Sequence, residues 1–110
     1  MTLSKFQFQE STTFTDGSTI PAGTVLSYNL LIDTVNPPLK AYAVPAADVA
    51  AAVAGLITVK FTDIGFTPVN NTPYFAAATE ADGTAVSADS NVVAFTQVVP
   101  PSAPTALAVS

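Results

Sequence analysis

The chain has 110 residues and contains no cysteine, histidine, tryptophan or arginine. Without cysteine and histidine there can be no disulfide, no thiolate or imidazole metal site and no serine–histidine or cysteine–histidine nucleophile. Without arginine there is no bidentate clamp for phosphate or carboxylate. Positive charge is scarce: Lys5, Lys40 and Lys60 stand against eight acidic side chains, for a net charge of −5. A duplex-binding surface needs several clustered cations to release counterions, so nucleic acid is not an expected partner. An anionic membrane surface would repel the chain, and no run approaches the ~20 apolar residues of a membrane span. Residues 1–10 hold no apolar stretch of signal-peptide length. Neither a Gly-rich phosphate loop nor any other cofactor motif occurs. These exclusions predict a chain that is not an enzyme, with no catalytic residue, no cofactor and no metal.

Threonine, valine, alanine and proline dominate what is present, which favours strands over helices. The length suits one domain. Phe6 and Phe8 alternate with Lys5, Gln7 and Gln9 and so share one face of a first strand. Residues 25–33 form a second, with Tyr28, Leu30 and Ile32 on one face, and Asn36-Pro37-Pro38 stops it. Residues 39–44 read as a short edge strand. Residues 45–54 form the one helix candidate, an alanine-rich segment opened by Pro45 and closed by Gly55. Ile57, Val59 and Phe61 alternate along a strand over 56–64. Another spans 74–80, a hairpin turn follows at Asp82-Gly83, and residues 91–98 close the domain. Short strands separated by turns predict an all-β sandwich.

The order of several motifs resembles a fibronectin type III domain. Asp63-Ile64-Gly65-Phe66-Thr67-Pro68 followed by Asn71-Thr72-Pro73-Tyr74 is similar to that family's bend into strand F. Tyr74 matches the residue of its tyrosine corner. Asp82-Gly83, Ser87, Ser90-Asn91 and Val92 resemble its F–G hairpin and last strand. Asp16-Gly17-Ser18-Thr19-Ile20-Pro21 with Ser27-Tyr28-Asn29-Leu30 resembles its B–C region. The resemblance spans residues 6–96 and implies a seven-stranded antiparallel β-sandwich, with a short Ala-rich helix or turn near 45–54. It also implies core or corner roles for Tyr28, Leu30, Ile32, Phe61 and Tyr74. The family's buried strand B tryptophan is missing, and Phe6 or Phe8 is expected in its place. The family binds, spaces or displays, and its Arg-Gly-Asp recognition has no counterpart here.

One departure bears on function. The family opens with a proline-led strand A, Pro-x-Ala-Pro-x-x-Leu-x-Val, whereas this chain starts almost directly at strand B. The missing pattern stands at the other end, as Pro101-Ser102-Ala103-Pro104-Thr105-Ala106-Leu107-Ala108-Val109. Residues 1–98 are therefore expected to form a sandwich lacking its own strand A, and residues 99–110 a Pro-rich linker and candidate donor strand. Three readings remain open. The tail adds to a neighbouring copy, begins a following domain, or folds back on its own. Folding back is strained, because the tail must climb the sandwich before descending: seven residues reach at most ~25 Å, about one strand length.

The leading expectation is a non-catalytic structural subunit that self-assembles head to tail. Pro104, Thr105, Ala106, Leu107, Ala108 and Val109 would donate the strand to an acceptor edge marked by Phe6 and Phe8. The product would be a fibre or a virion component such as a phage decoration or tail protein, located outside the cell or on a virion surface. Partners would be other copies of itself and other virion or surface proteins. The alternative is a spacer or ligand-binding module from a secreted multidomain bacterial protein. Other features read as local structure. Asp16-Gly17-Ser18 and Asp82-Gly83 lack calcium-loop spacing and are turns. Glu80 and Asp82 are solvated edge charges rather than a hydrolytic pair. The Asn70-Asn71-Thr72 sequon is followed by Pro73 and falls in a turn. Among the tyrosines, only Tyr42 is expected on the surface.

Overall fold

The computed structural model describes residues 3–110. Among these residues the order is β1 (Lys5–Gln9), β2 (Ser27–Asp33), β3 (Ala41–Ala43), α1 (Ala46–Ala50), β4 (Leu56–Lys60), a 3-10 turn (Phe61–Asp63), β5 (Pro73–Ala81) and β6 (Val93–Thr96). The strands form two antiparallel sheets, β1-β4 and β3-β2-β5-β6. The all-β class therefore holds. The described residues form six named strands rather than seven. The seventh expected strand, drawn from residues 104–109, is not formed within the chain. No helix among the described residues is long and apolar enough to cross a membrane.

Alternation builds the core between the sheets. Tyr28, Leu30 and Ile32 are buried along β2, and Ile57 and Val59 of β4 are fully enclosed. Phe61, Tyr74 and Ala76 complete the buried layer, and Phe6, Phe8 and Phe95 pack against it half-buried. Phe66, in the bend before β5, is buried at the centre of an aromatic cluster. Its ring centroid lies 5.2 Å from Phe61, 5.3 Å from Tyr74, 5.8 Å from Tyr42 and 6.2 Å from Phe6. Tyr42 is accordingly half-buried, with Lys40 over its ring.

Several elements are shorter than their sequence patterns suggest. Helix α1 has five residues, Ala46–Ala50, and Ala54 and Gly55, both at positive φ, then turn the chain into β4. Val53 and Leu56 exchange backbone hydrogen bonds across that turn, as a two-residue type I′ hairpin requires. Pro45 caps α1 from outside instead of occupying its first turn. The strand expected over residues 91–98 is reduced to β6. Residues 85–92 still follow β5, but the register slips by one residue between Ser87 and Ser90 and again before Val93. At the slips the Ser87 and Ser90 hydroxyls accept the N–H groups of Glu80 and Ala78, so the broken ladder leaves those donors satisfied.

Beyond β6, Gln97 is only 6% exposed. Its side-chain oxygen accepts the Leu3 N–H and its carbonyl accepts the Asn71 N–H. Val99 N–H donates to Asn70 Oδ1. From Val98 onward every residue is exposed and none belongs to a strand or helix. The molecule measures 74 × 28 × 21 Å with a radius of gyration of 18.1 Å, against about 13 Å for a folded chain of this length. The projecting tail accounts for the difference.

Candidate functional site: the open edge of β1

Backbone hydrogen bonds on either side of the β1–β4 pairing determine which groups face outward. Phe61 N–H donates to Ser4 O and Glu10 N–H to Gly55 O, both at 2.9 Å. Bonded and non-bonded pairs alternate in an antiparallel ladder. Phe6 and Phe8 therefore bond to Val59 and Ile57, and the main-chain groups of Leu3, Lys5, Gln7, Gln9 and Ser11 point away from β4. The chain covers the two end positions itself. Leu3 N–H donates to the Gln97 side chain at 2.9 Å, and Ser11 N–H donates to Glu80 Oε1 at 2.8 Å. Between them, the N–H and C=O groups of Lys5, Gln7 and Gln9 face no strand among the described residues.

The two sequence-marked phenylalanines lie at this edge and face inward. Phe6 packs on Phe61 at 4.8 Å and edge-on to Phe95 at 5.6 Å, and Phe8 meets Tyr28 at 5.4 Å. They supply the apolar side of the edge, while its hydrogen-bonding side belongs to Lys5, Gln7 and Gln9. Periodicity alone marks the phenylalanines and does not tell which of β1's two edges β4 covers.

A groove of about 550 Å3 opens at the Gln9 end, lined by Phe8, Phe14, Ile20, Tyr28, Ala78 and Val86 among others. Val86, Ser87 and Ser90, from the segment where the register slips, line one side of it. In its wall, Tyr28 Oη donates to Glu10 Oε2 at 2.9 Å. Burial, that hydrogen bond and the Glu80 charge all push the Tyr28 phenol well above its ordinary value. Phe14, Ile20 and Val86 of the groove carry no distinctive sequence signal, since they sit in irregular segments.

The proposed donor stands apart from this site within one chain. Leu107 and Val109 are 95% and 96% exposed. Pro104, Thr105, Ala106 and Ala108 are exposed with them, and Ala106 has a positive φ of 59°. The tail leaves at Gln97, bonded to Leu3 at the start of β1, whereas the groove lies at the other end of that strand.

The remaining candidates resolve into local structure. Asp16 accepts from the Ser18 hydroxyl and N–H, which lower its pKa. Asp82 accepts from the Ala85 and Thr84 N–H groups, with the same effect. Glu80 is engaged with Ser11 and does not pair with Asp82. Asn71 has a positive φ and donates to Gln97.

Compared with known families, with curated proteins and with solved structures, the chain matches none. The fold therefore defines the class, an all-β protein of two antiparallel sheets. Function has to be argued from the open edge and the projecting tail.

Proposed function

We propose that this chain is a non-catalytic structural subunit that assembles head to tail, the C-terminal segment of one copy adding as a strand to β1 of the next. We read the fold as a fibronectin type III-like sandwich completed in trans, and a fibre or virion surface as its setting. The reading is supported by the sheet order β1-β4 and β3-β2-β5-β6 and by the Tyr74 hydroxyl, which accepts a backbone N–H upstream of β5 as a tyrosine corner does.

One observation carries the functional part. The β1 edge offers three alternate positions, Lys5, Gln7 and Gln9, that are unpaired among the described residues and lie beside a half-buried apolar row, and the tail offers an exposed strand pattern with Leu107 and Val109 two residues apart. Strand addition joins the two: main-chain bonds supply affinity and alternate side chains fill the apolar side. Donor and acceptor are different surfaces, so the contact is heterologous and propagates as a filament or closes as a ring.

Sedimentation velocity across a concentration series tests this with the full chain and with a variant lacking residues 101–110. The full chain is expected to form multimers and the variant to remain monomeric. Adding a peptide of residues 101–110 is expected to raise the variant's melting temperature, since a ligand of the folded state stabilises it. A full chain that stays monomeric at high concentration, with a variant indifferent to the peptide, rejects the proposal and leaves the spacer-module reading.

A further inference from the structure

Building on strand addition, we infer that the donor docks antiparallel to β1 of a second copy in one register, with Ala108 opposite Gln7 and Leu107 opposite Phe8. The direction follows from the position of the tail. β6 ends beside Leu3, where β1 begins, so the tail leaves running opposite to β1. A copy displaced along the long axis presents its groove end to that tail, and the incoming strand then descends antiparallel to β1. The same geometry disfavours the chain's own β1, whose Gln9 end lies a full strand length from Gln97.

The register follows by elimination. Paired residues on adjacent antiparallel strands share a face. Lys5, Gln7 and Gln9 face outward, so their partners must be the tail's alternate set, Pro104, Ala106, Ala108 and Ser110. That choice turns Leu107 and Val109 inward beside Phe8 and Phe6. Four registers satisfy this condition, and Pro104 opposite Gln7 fails at once because proline has no N–H to give. With Ala106 opposite Gln7, Gln9 meets Pro104, which has no N–H to give. With Ser110 opposite Gln7, Leu107 falls opposite Glu10, whose carboxylate holds the Tyr28 hydroxyl, instead of opposite a phenylalanine. Ala108 opposite Gln7 pairs all three open positions with residues that carry an N–H, namely Ser110, Ala108 and Ala106, and sets Leu107 and Val109 opposite Phe8 and Phe6.

Three further observations agree. Leu107 then enters beside Phe8, in the wall of the groove at the Gln9 end of β1. The tail has no charged side chain, and the open stretch of β1 has Lys5 and no acid, so the pairing brings no acidic side chains together in a chain of net charge −5. Docking also moves Ala106 from its left-handed φ of 59° to extended backbone, relieving a conformation disfavoured for residues with a Cβ.

Engineered disulfides read the register directly, because the chain has no cysteine of its own. Gln7 and Ala108 are both exposed, so Gln7→Cys with Ala108→Cys leaves the core intact. A bonded antiparallel pair lies at ~5.5 Å between Cα atoms, within disulfide reach. Oxidation at a concentration where the unsubstituted chain assembles is expected to give a ladder of covalent multimers on a non-reducing gel. The pairs Gln7→Cys with Ala106→Cys and Gln9→Cys with Ala108→Cys, slipped by two residues, are expected to cross-link roughly tenfold more slowly. Faster multimer formation by a slipped pair overturns the register and leaves strand addition standing. A cross-link confined to single chains and independent of concentration overturns the second copy as host. Absence of any cross-link together with a monomeric unsubstituted chain rejects strand addition itself.

Discussion

The Val69 N–H donates to the hydroxyl oxygen of Tyr74 at 2.9 Å, closing the bend that leads into β5. The same ring stacks on Phe95 at 5.5 Å and meets Phe66 edge-on at 5.3 Å. Tyr74→Phe keeps the ring and removes only the acceptor. The expected loss is about 0.5–1.5 kcal/mol, read as a lower urea midpoint with an unchanged slope. A variant as stable as the parent would show that the hydroxyl contributes nothing to holding the bend.

Ala54 has a positive φ of 51° in the turn before β4, next to Gly55. Most residues with a Cβ are disfavoured there, whereas asparagine, whose short polar side chain is enriched at positive φ, and glycine tolerate the conformation. Ala54→Asn is therefore expected to stabilise the fold by roughly 0.5–1 kcal/mol, measured by thermal unfolding. Gly55→Ala is expected to destabilise it, because the positive φ of 78° strains a residue with a Cβ and the Gln9 amide must swing aside, losing its hydrogen bond to Ala54 O.

Asp48 on α1 has one carboxylate oxygen buried without a hydrogen-bond partner. Desolvation and the neighbouring Asp63 raise its pKa, and Lys60 offsets part of the effect. The folded state thus holds this proton more tightly than the unfolded state. Its contribution to stability is greatest below the ordinary aspartate value and is lost as pH rises through the folded value. Asp48→Asn is expected to stabilise the protein at neutral pH and to flatten this part of the pH profile. Asp16 and Asp82 act in the opposite sense: their lowered values give stability that is present above the ordinary aspartate range and lost as pH falls. Denaturant titrations of Asp48→Asn and Asp82→Asn between pH 3 and 7 separate the two signs.

Tyr28 predicts a limit at high pH. Its phenol is held protonated by burial first and by the Glu10 hydrogen bond second. Stability is complete below the ordinary tyrosine value and falls as pH rises toward the folded one, because only the unfolded chain ionises there. Tyr28→Phe is expected to unfold at a higher pH than the parent, followed by tyrosine absorbance and circular dichroism together.

Leu107→Ser with Val109→Ser tests the apolar half of the assembly contact. Both side chains are almost fully exposed in the single chain, so the folded monomer should keep its melting temperature. Association should weaken by at least tenfold, given about 1.5–3 kcal/mol for burying each aliphatic side chain. Unchanged sedimentation would mean that neither residue enters the partner.

Composition by itself removes disulfides, imidazole and thiolate metal sites, histidine-dependent nucleophiles and arginine clamps. These exclusions need no coordinates because they depend on residue types and not on positions. Alternation by itself also assigned the inward faces of β1, β2 and β4, since a strand's period of two places Phe6, Phe8, Tyr28, Leu30, Ile32, Ile57 and Val59 before any partner is known. Tertiary structure decided the rest. Phe66 lies in a bend without periodicity, so its place at the centre of the aromatic cluster follows only from the packing of both sheets. The extent of the open edge likewise depends on contacts between distant parts of the chain. Gln97 covers Leu3 across 94 positions and Glu80 covers Ser11 across 69. Sequence patterns describe which face of a strand is apolar. Which backbone groups remain unpaired is determined by the neighbours that the fold brings to them.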